Sequence, residues 1–255
     1  MSYVRGIRAV VLGVSMGVAG TTVFTGCDAL DKYVPKSAQN QLMELVRLNI
    51  SFSVSGAPSD QIDKTFFYAD RIAGLTTTAR QQGDAMVMEF ARTFDFKVQA
   101  LTEENMEKLT GEISSIDPSE VTPEQKQWLE RNIPAIKGWA ISGVKLIDAG
   151  KNVGLALPAA GAKVKEDFKS ASPAMKDRYG RYIEQFPGLL EDVDTVVSDG
   201  VPALINIGNV VEAMIVLSSA TGVEPPTKEE SDQEAMKLMS KGLPEGEEVD
   251  GFSDA

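Results

Sequence analysis

Four glycines, Gly143, Gly150, Gly154 and Gly161, stand 7, 4 and 7 residues apart. At about 100° per residue they fall within roughly 40° of one face of an α-helix. Each interior glycine costs a helix about 1 kcal/mol relative to alanine, so a helix that keeps four on one stripe is expected to gain from the missing side chains. Close approach by a second helix is the natural gain, and Gly150 with Gly154 forms the small-xxx-small pair of such a contact. Trp139, Leu146, Val153, Leu157 and Val164 border the stripe, while Lys145, Asp148, Asn152 and Lys163 lie opposite. The expected partner is the run "VPALINIGNVVEAMIVL", residues 201–217, apolar around most of a helix. Its Asn206, Asn209 and Glu212 are costly in hydrocarbon, which favours a place inside a bundle over one in lipid.

The rest of the chain carries mainly helix signals. Thr122-Pro123-Glu124-Gln125 supplies an N-cap, a first-turn proline and a capping-box glutamine; Ser172-Pro173 repeats the start; Thr227-Lys228-Glu229-Glu230 is a second capping box. That last helix is expected to stop at Gly242, with Pro244 beyond. The predicted fold class is therefore mainly α, a helical bundle over residues 42–244. A small two-stranded β element is expected near residues 45–54 and 92–101. "VRLNISFSVS" alternates Val46, Leu48, Ile50, Phe52 and Val54 against polar residues, and "TFDFKVQA" alternates Phe94, Phe96, Val98 and Ala100. The second stretch also fits a helix, since Met86, Phe90, Phe94 and Val98 recur every four residues. Residues 245–255, "EGEEVDGFSDA", read as a disordered acidic tail with too few apolar groups to offset the entropy of ordering.

Composition removes several classes of function. The net charge of −12 offers no basic stripe to displace counterions from phosphates, so no nucleic-acid partner is expected. The chain has no histidine and one cysteine. Serine and cysteine nucleophiles activated by histidine, and histidine-ligated zinc, are thereby excluded. "DVDTVVSDG" starts like a calcium loop at Asp192 and Asp194, but Val196 and Val197 occupy the third-ligand and glycine positions, so no metal site is expected. Glu230-Ser231 is the one pair resembling the Glu-Ser of helical transglycosylases, and it lacks the residues that follow in that family. No catalytic residue is assigned and no enzyme is expected.

The lone cysteine sits at the end of a distinctive N-terminus. Arg5 and Arg8 precede an uncharged run from Ala9 to Phe24, the layout of a secretory signal peptide. That run reaches about 24 Å as a helix, short of a roughly 30 Å hydrocarbon core. "VFTGC", Val23 to Cys27, resembles the lipobox of bacterial lipoproteins: Thr25, Gly26 and Cys27 match, and Phe24 stands where that family most often has leucine. The resemblance implies cleavage between Gly26 and Cys27 and a covalent lipid on the Cys27 sulfur, with no other cofactor. It places residues 1–26 as signal peptide and residues 27–41 as lipidated cysteine and tether. The protein is then expected on the extracytoplasmic side of a cell membrane. Asp28 resembles the inner-membrane retention signal of enteric members. Removing residues 1–26, which hold two arginines and no acid, takes the charge from −12 to −14.

Three functions fit these features. The first is a non-enzymatic, membrane-anchored envelope lipoprotein that binds or scaffolds a protein partner. The second carries an apolar ligand or lipid between helices, and the third is a carboxylate-based enzyme acting on cell-wall glycan.

Overall fold

A computed structural model describes residues 47–253. The chain divides into two units, residues 1–41 and 42–255, and all the described residues belong to the second. The signal peptide, Gly26, Cys27 and the tether lie outside the described residues.

The second unit is a helical bundle with one two-stranded antiparallel sheet, in agreement with the predicted class. In chain order it comprises β1 (Phe52–Val54), α1 (Gln61–Thr93), α2 (Glu103–Ser114), a short 3₁₀ turn (Pro118–Glu120), α3 (Pro123–Phe168), α4 (Pro173–Thr195), a π-helical turn (Val196–Gly200), α5 (Val201–Ala220), α6 (Lys228–Ser240) and β2 (Val249–Phe252). Helix α3 is the axis of the bundle and touches α1, α4, α5 and α6; α2 packs on α5.

Side chains mark where the helices begin. Asp60 accepts the Ile62 and Asp63 amides at the start of α1. Thr122 with Gln125, and Thr227 with Glu230, close reciprocal capping boxes on α3 and α6. Ser172 accepts the Met175 amide ahead of Pro173. Each cap satisfies amides that the helix itself leaves without partners.

Helices α4 and α5 run through the π turn as one 48-residue helix, Pro173–Ala220. Pro202 explains the π turn. Its ring has no N–H and would strike the carbonyl four residues back, so the coil widens, and the Val201 amide reaches the Val196 carbonyl five residues away.

Two expectations are corrected. Residues 92–101 form no strand. Helix α1 ends in a Schellman motif in which the Phe96 amide bonds the Ala91 carbonyl at 2.8 Å and Asp95 takes a left-handed φ of 58°. Phe94 and Phe96 both stack on Phe90, with centroids 4.2 and 6.1 Å away, so their alternation reflects helix closure. The partner of β1 is β2, pairing Phe52 with Phe252, Ser53 with Gly251 and Val54 with Val249.

The acidic end is correspondingly not a disordered tail through its length. Residues 249–252 are a strand, Val249 is buried, and the Ser253 amide donates to the Ser51 carbonyl at 3.1 Å.

Candidate functional site

The glycine stripe lies along α3 and meets different neighbours at each turn. A methyl group built at Gly143 would have as its nearest neighbours three atoms of the Trp139 ring of its own helix, the first at 3.2 Å. Gly143 therefore makes room for an indole. Trp139 is 2% exposed and donates its Nε1–H to the Ala79 carbonyl of α1 at 2.7 Å. On its other side stands Gly83 of α1, where a methyl would come within 2.8 Å of the same ring and 2.7 Å of Ile207 Cγ2. Two glycines thus frame one tryptophan. The sequence stripe contained the first and gave no reason to single out Gly83.

Further along, a methyl at Gly150 would sit 3.2 Å from both Val196 Cγ1 and Val201 Cγ2, and one at Gly154 would sit 3.0 Å from Val197 Cγ2. The widened π turn therefore faces the middle of the stripe. A methyl at Gly161 would overlap the Phe186 ring of α4, whose third-nearest atom, Cδ2, lies at 2.7 Å. The stripe is a seam against α4, the π turn and the first residue of α5. Farther into α5, Ile207 shares the Trp139 slot.

At one edge the seam reaches solvent. Gly154 is half-buried, its neighbour Leu155 is 68% exposed and Val197 is 36% exposed. Of the residues expected on the opposite face, Asn152 donates to the Asn49 carbonyl at 2.8 Å and Lys145 to the Ser51 carbonyl at 3.2 Å. That face of α3 carries the chain leading into β1.

A second set of contacts is polar and went unread in the sequence. Arg71 of α1 binds Glu247 through both Nε (2.6 Å) and Nη2 (2.5 Å), while its Nη1 donates to the Phe67 carbonyl and its guanidinium lies 3.7 Å from the centre of the Phe67 ring. These hydrogen bonds hold the Glu247 carboxyl below the usual carboxylate range. At the start of α1, Asp63 accepts from Tyr182 Oη (2.6 Å) and Arg178 Nε (2.8 Å) of α4. Burial, then the bond to Asp63, pushes the Tyr182 hydroxyl up to about 12. Tyr68 donates its hydroxyl to the Phe52 carbonyl and accepts the Val54 amide, tying β1 to α1. Pairs separated by 115 or 176 residues leave no local pattern to find.

The remaining sequence candidates take structural places. Asp192 and Asp194 lie on helix α4 rather than in a loop. Glu230 accepts the Thr227 amide and hydroxyl at 2.8 and 2.9 Å, and these bonds hold its carboxyl below the usual range. A glycosidase general acid requires the opposite shift. Among the described residues, no group of three or more His, Cys, Asp or Glu is placed to hold a metal ion. One helix, Pro173–Ala220, is long and apolar enough to cross a membrane by length and composition, and 44% of its most apolar window is buried in the fold.

No family model matches this sequence, and comparison with curated proteins and with solved structures gives no match.

Proposed function

We propose that this chain is a bacterial cell-envelope lipoprotein, anchored through lipid on Cys27, whose helical domain serves as a non-enzymatic protein-binding or scaffolding module. The observation that carries the reading is "VFTGC" at the end of an uncharged run that begins after two arginines. A single acyl chain gives only marginal anchoring, and the several chains that lipoproteins carry on one cysteine supply the remainder.

The geometry favours binding at the surface over carrying a ligand inside. A ligand carrier needs room between helices, and Trp139, Val196, Val197, Val201 and Phe186 fill the space that the stripe glycines leave. Leu155 and Val197 remain partly open to a partner.

The test is mass spectrometry of the membrane-extracted protein beside its Cys27→Ser variant. The mature wild type is expected to begin at Cys27 with acyl mass attached, and the variant to lose both cleavage and stable membrane association. A wild type that retains residues 1–26 and carries no acyl mass overturns the anchoring. Capture of the lipidated protein with a reproducible envelope partner, lost in a Leu155→Asp, Val197→Asp double variant, tests the binding role.

A further inference from the structure

Strand β1 is satisfied along both edges by different means. On the edge away from β2, the Tyr68 hydroxyl donates to the Phe52 carbonyl and accepts the Val54 amide. On the other edge, residues 247–253 lie as a strap held by few contacts. The Ser253 amide donates to the Ser51 carbonyl at 3.1 Å, the Ser55 amide to the Glu248 carbonyl at 2.9 Å, and the Glu248 amide to Ser55 Oγ at 2.9 Å. Glu247 sits in the Arg71 clasp, and Lys145 Nζ lies 4.8 Å from the centre of the Phe252 ring. Val249 is the one buried residue of β2.

The strap joins the bundle through a tight turn. Up to Gly242 the chain is fixed, since a methyl there would come within 2.8 Å of Leu75 Cα and 3.0 Å of the Gly74 carbonyl oxygen of α1. Pro244 to Glu247 then form a β-turn, with the Glu247 amide on the Pro244 carbonyl at 3.1 Å and Gly246 at a φ of 89°. Residues with a side chain rarely adopt that φ, so the closed turn depends on glycine. A segment with one buried apolar side chain opens at low local cost. Once open, it leaves a strand edge whose donors and acceptors need a partner.

We infer that this edge of β1 takes residues 247–253 of a second copy of the chain, the two copies exchanging straps about Pro244–Gly246. The occupant follows from complementarity. Ser51, Ser55, Arg71 and Lys145 meet the same groups whichever copy supplies them, so a reciprocal exchange keeps the contacts of the strap and changes only the turn. A short hinge under strain favours such exchange. It uses neither Leu155 nor Val197, which stay open to the envelope partner. On the lipoprotein reading, two anchored copies share one membrane and meet at high effective concentration; the exchange itself does not depend on lipid.

Charge reversal tests it in the full-length chain carrying Cys27→Ser, which removes the one native thiol. Arg71→Glu and Glu247→Arg each set like charges together in a closed monomer. Mixed, the two variants restore both clasps only by exchange, because each strap then carries the charge that the other chain's position 71 lacks. Size-exclusion chromatography with light scattering, followed by native mass spectrometry, should show about tenfold more dimer in the mixture than in either variant alone, with one chain of each kind. Val249→Asp in both chains should abolish that excess. No excess of mixed dimer, or one indifferent to Val249→Asp, overturns the inference. If circular dichroism shows that a reversed charge unfolds the domain, Gly246→Val in the Cys27→Ser chain replaces the pair. Strained in the closed turn, it should raise the dimer fraction several-fold, and an unchanged fraction overturns the inference equally. Since these chains carry no lipid and keep Leu155 and Val197, failure here leaves the anchoring and partner proposals standing, and their failure leaves this one standing.

Discussion

The seam along α3 and the polar contacts around α1 hold the same bundle by opposite means. In the seam, side chains are missing where neighbours come close: Gly161 under the Phe186 ring, Gly150 and Gly154 against Val196, Val197 and Val201. Around α1, side chains reach across: Arg71 grips Glu247 of the C-terminal segment, and Arg178 with Tyr182 grips Asp63. The seam's energy lies in dispersion and excluded volume, which are indifferent to pH. The clasps are charge-assisted hydrogen bonds, stronger than neutral ones but present only while the acids are ionised. Added volume should therefore damage the first region, and acid the second.

The largest effect is expected at Gly161. Gly161→Ala puts a methyl into a ring that is 3% exposed and lies 6.3 Å from the Phe66 ring, so Phe186 has little freedom to withdraw. Overpacking of this kind costs about 1 to 3 kcal/mol, more than the propensity gain of about 0.5 to 1. The urea midpoint should fall by the same amount at pH 7 and pH 5. Phe186→Leu in the same chain should recover part of the loss, the coupling expected of neighbours in contact. A midpoint that rises in the single variant would show that the seam is looser than these distances imply.

Arg71→Ala should come next, at about 1 to 2 kcal/mol. Hydrogen bonds to charged groups contribute about 1.5 to 3, and solvent at Glu247, 22% exposed, reduces that figure. Removing the guanidinium should also loosen β2, so limited proteolysis around residues 247–253 is the direct readout. The sign with pH follows from the lowered Glu247 carboxyl. Its contribution is present above the ordinary carboxyl range and is lost as pH falls through the folded value. Wild type and variant should therefore converge in acid. A difference that persists undiminished at pH 3 would mean that Arg71 acts through its packing on Phe67 instead.

How far each region could be read from sequence follows from the same contrast. The seam is periodic, so Gly143, Gly150, Gly154 and Gly161 announced one helix face, and the caps at Thr122, Ser172 and Thr227 announced where helices start. Even so, period alone did not distinguish Gly143, which accommodates its own Trp139, from Gly161, which accommodates another helix. The clasps depend on tertiary geometry. Without Arg71 opposite Glu247, "EGEEVDGF" reads as a solvated tail, and with it Val249 and Phe252 complete a strand. The error at residues 92–101 had a local cause: two phenylalanines stacking on Phe90 around a Schellman turn give the period of a strand.

Gly150→Ala and Gly154→Ala sharpen the comparison at smaller amplitude. A methyl 3.0 to 3.2 Å from valine methyls requires a shift of a few tenths of an ångström, and Val197 at 36% exposure has room to make it. Strain and helix propensity should nearly cancel, leaving each variant within about 0.5 kcal/mol of wild type. Gly208→Ala, where nothing lies within 4 Å, is the control and should stabilise by about 0.5 to 1 kcal/mol. If all three rise equally, the middle of the seam exerts no constraint.

The smallest effect separates a clasp from an acid that merely sits near an arginine. Asp84 on α1 lies 3.8 Å from Arg80 Nε, and its buried Oδ1 accepts no hydrogen bond from the described residues. Burial pushes its carboxyl above the ordinary range, and Arg80 offsets only part of that rise. The direction is opposite to that of Glu247, so the linkage reverses. A carboxyl raised in the folded state favours folding while protonated, and that contribution is lost as pH rises from the unfolded value through the folded one. At pH 7 the ionised Asp84 is a net cost. Asp84→Asn keeps the shape and removes the charge, so it should raise the pH 7 midpoint by about half a kcal/mol. The gain should vanish below the carboxyl range, where wild-type Asp84 is itself neutral. Urea midpoints of the two proteins at pH 3.5 and pH 7 decide the matter: a variant less stable at pH 7 would make Arg80 and Asp84 a third clasp, and the contrast would then rest on partner charge alone, without the bidentate geometry of Arg71 and Glu247.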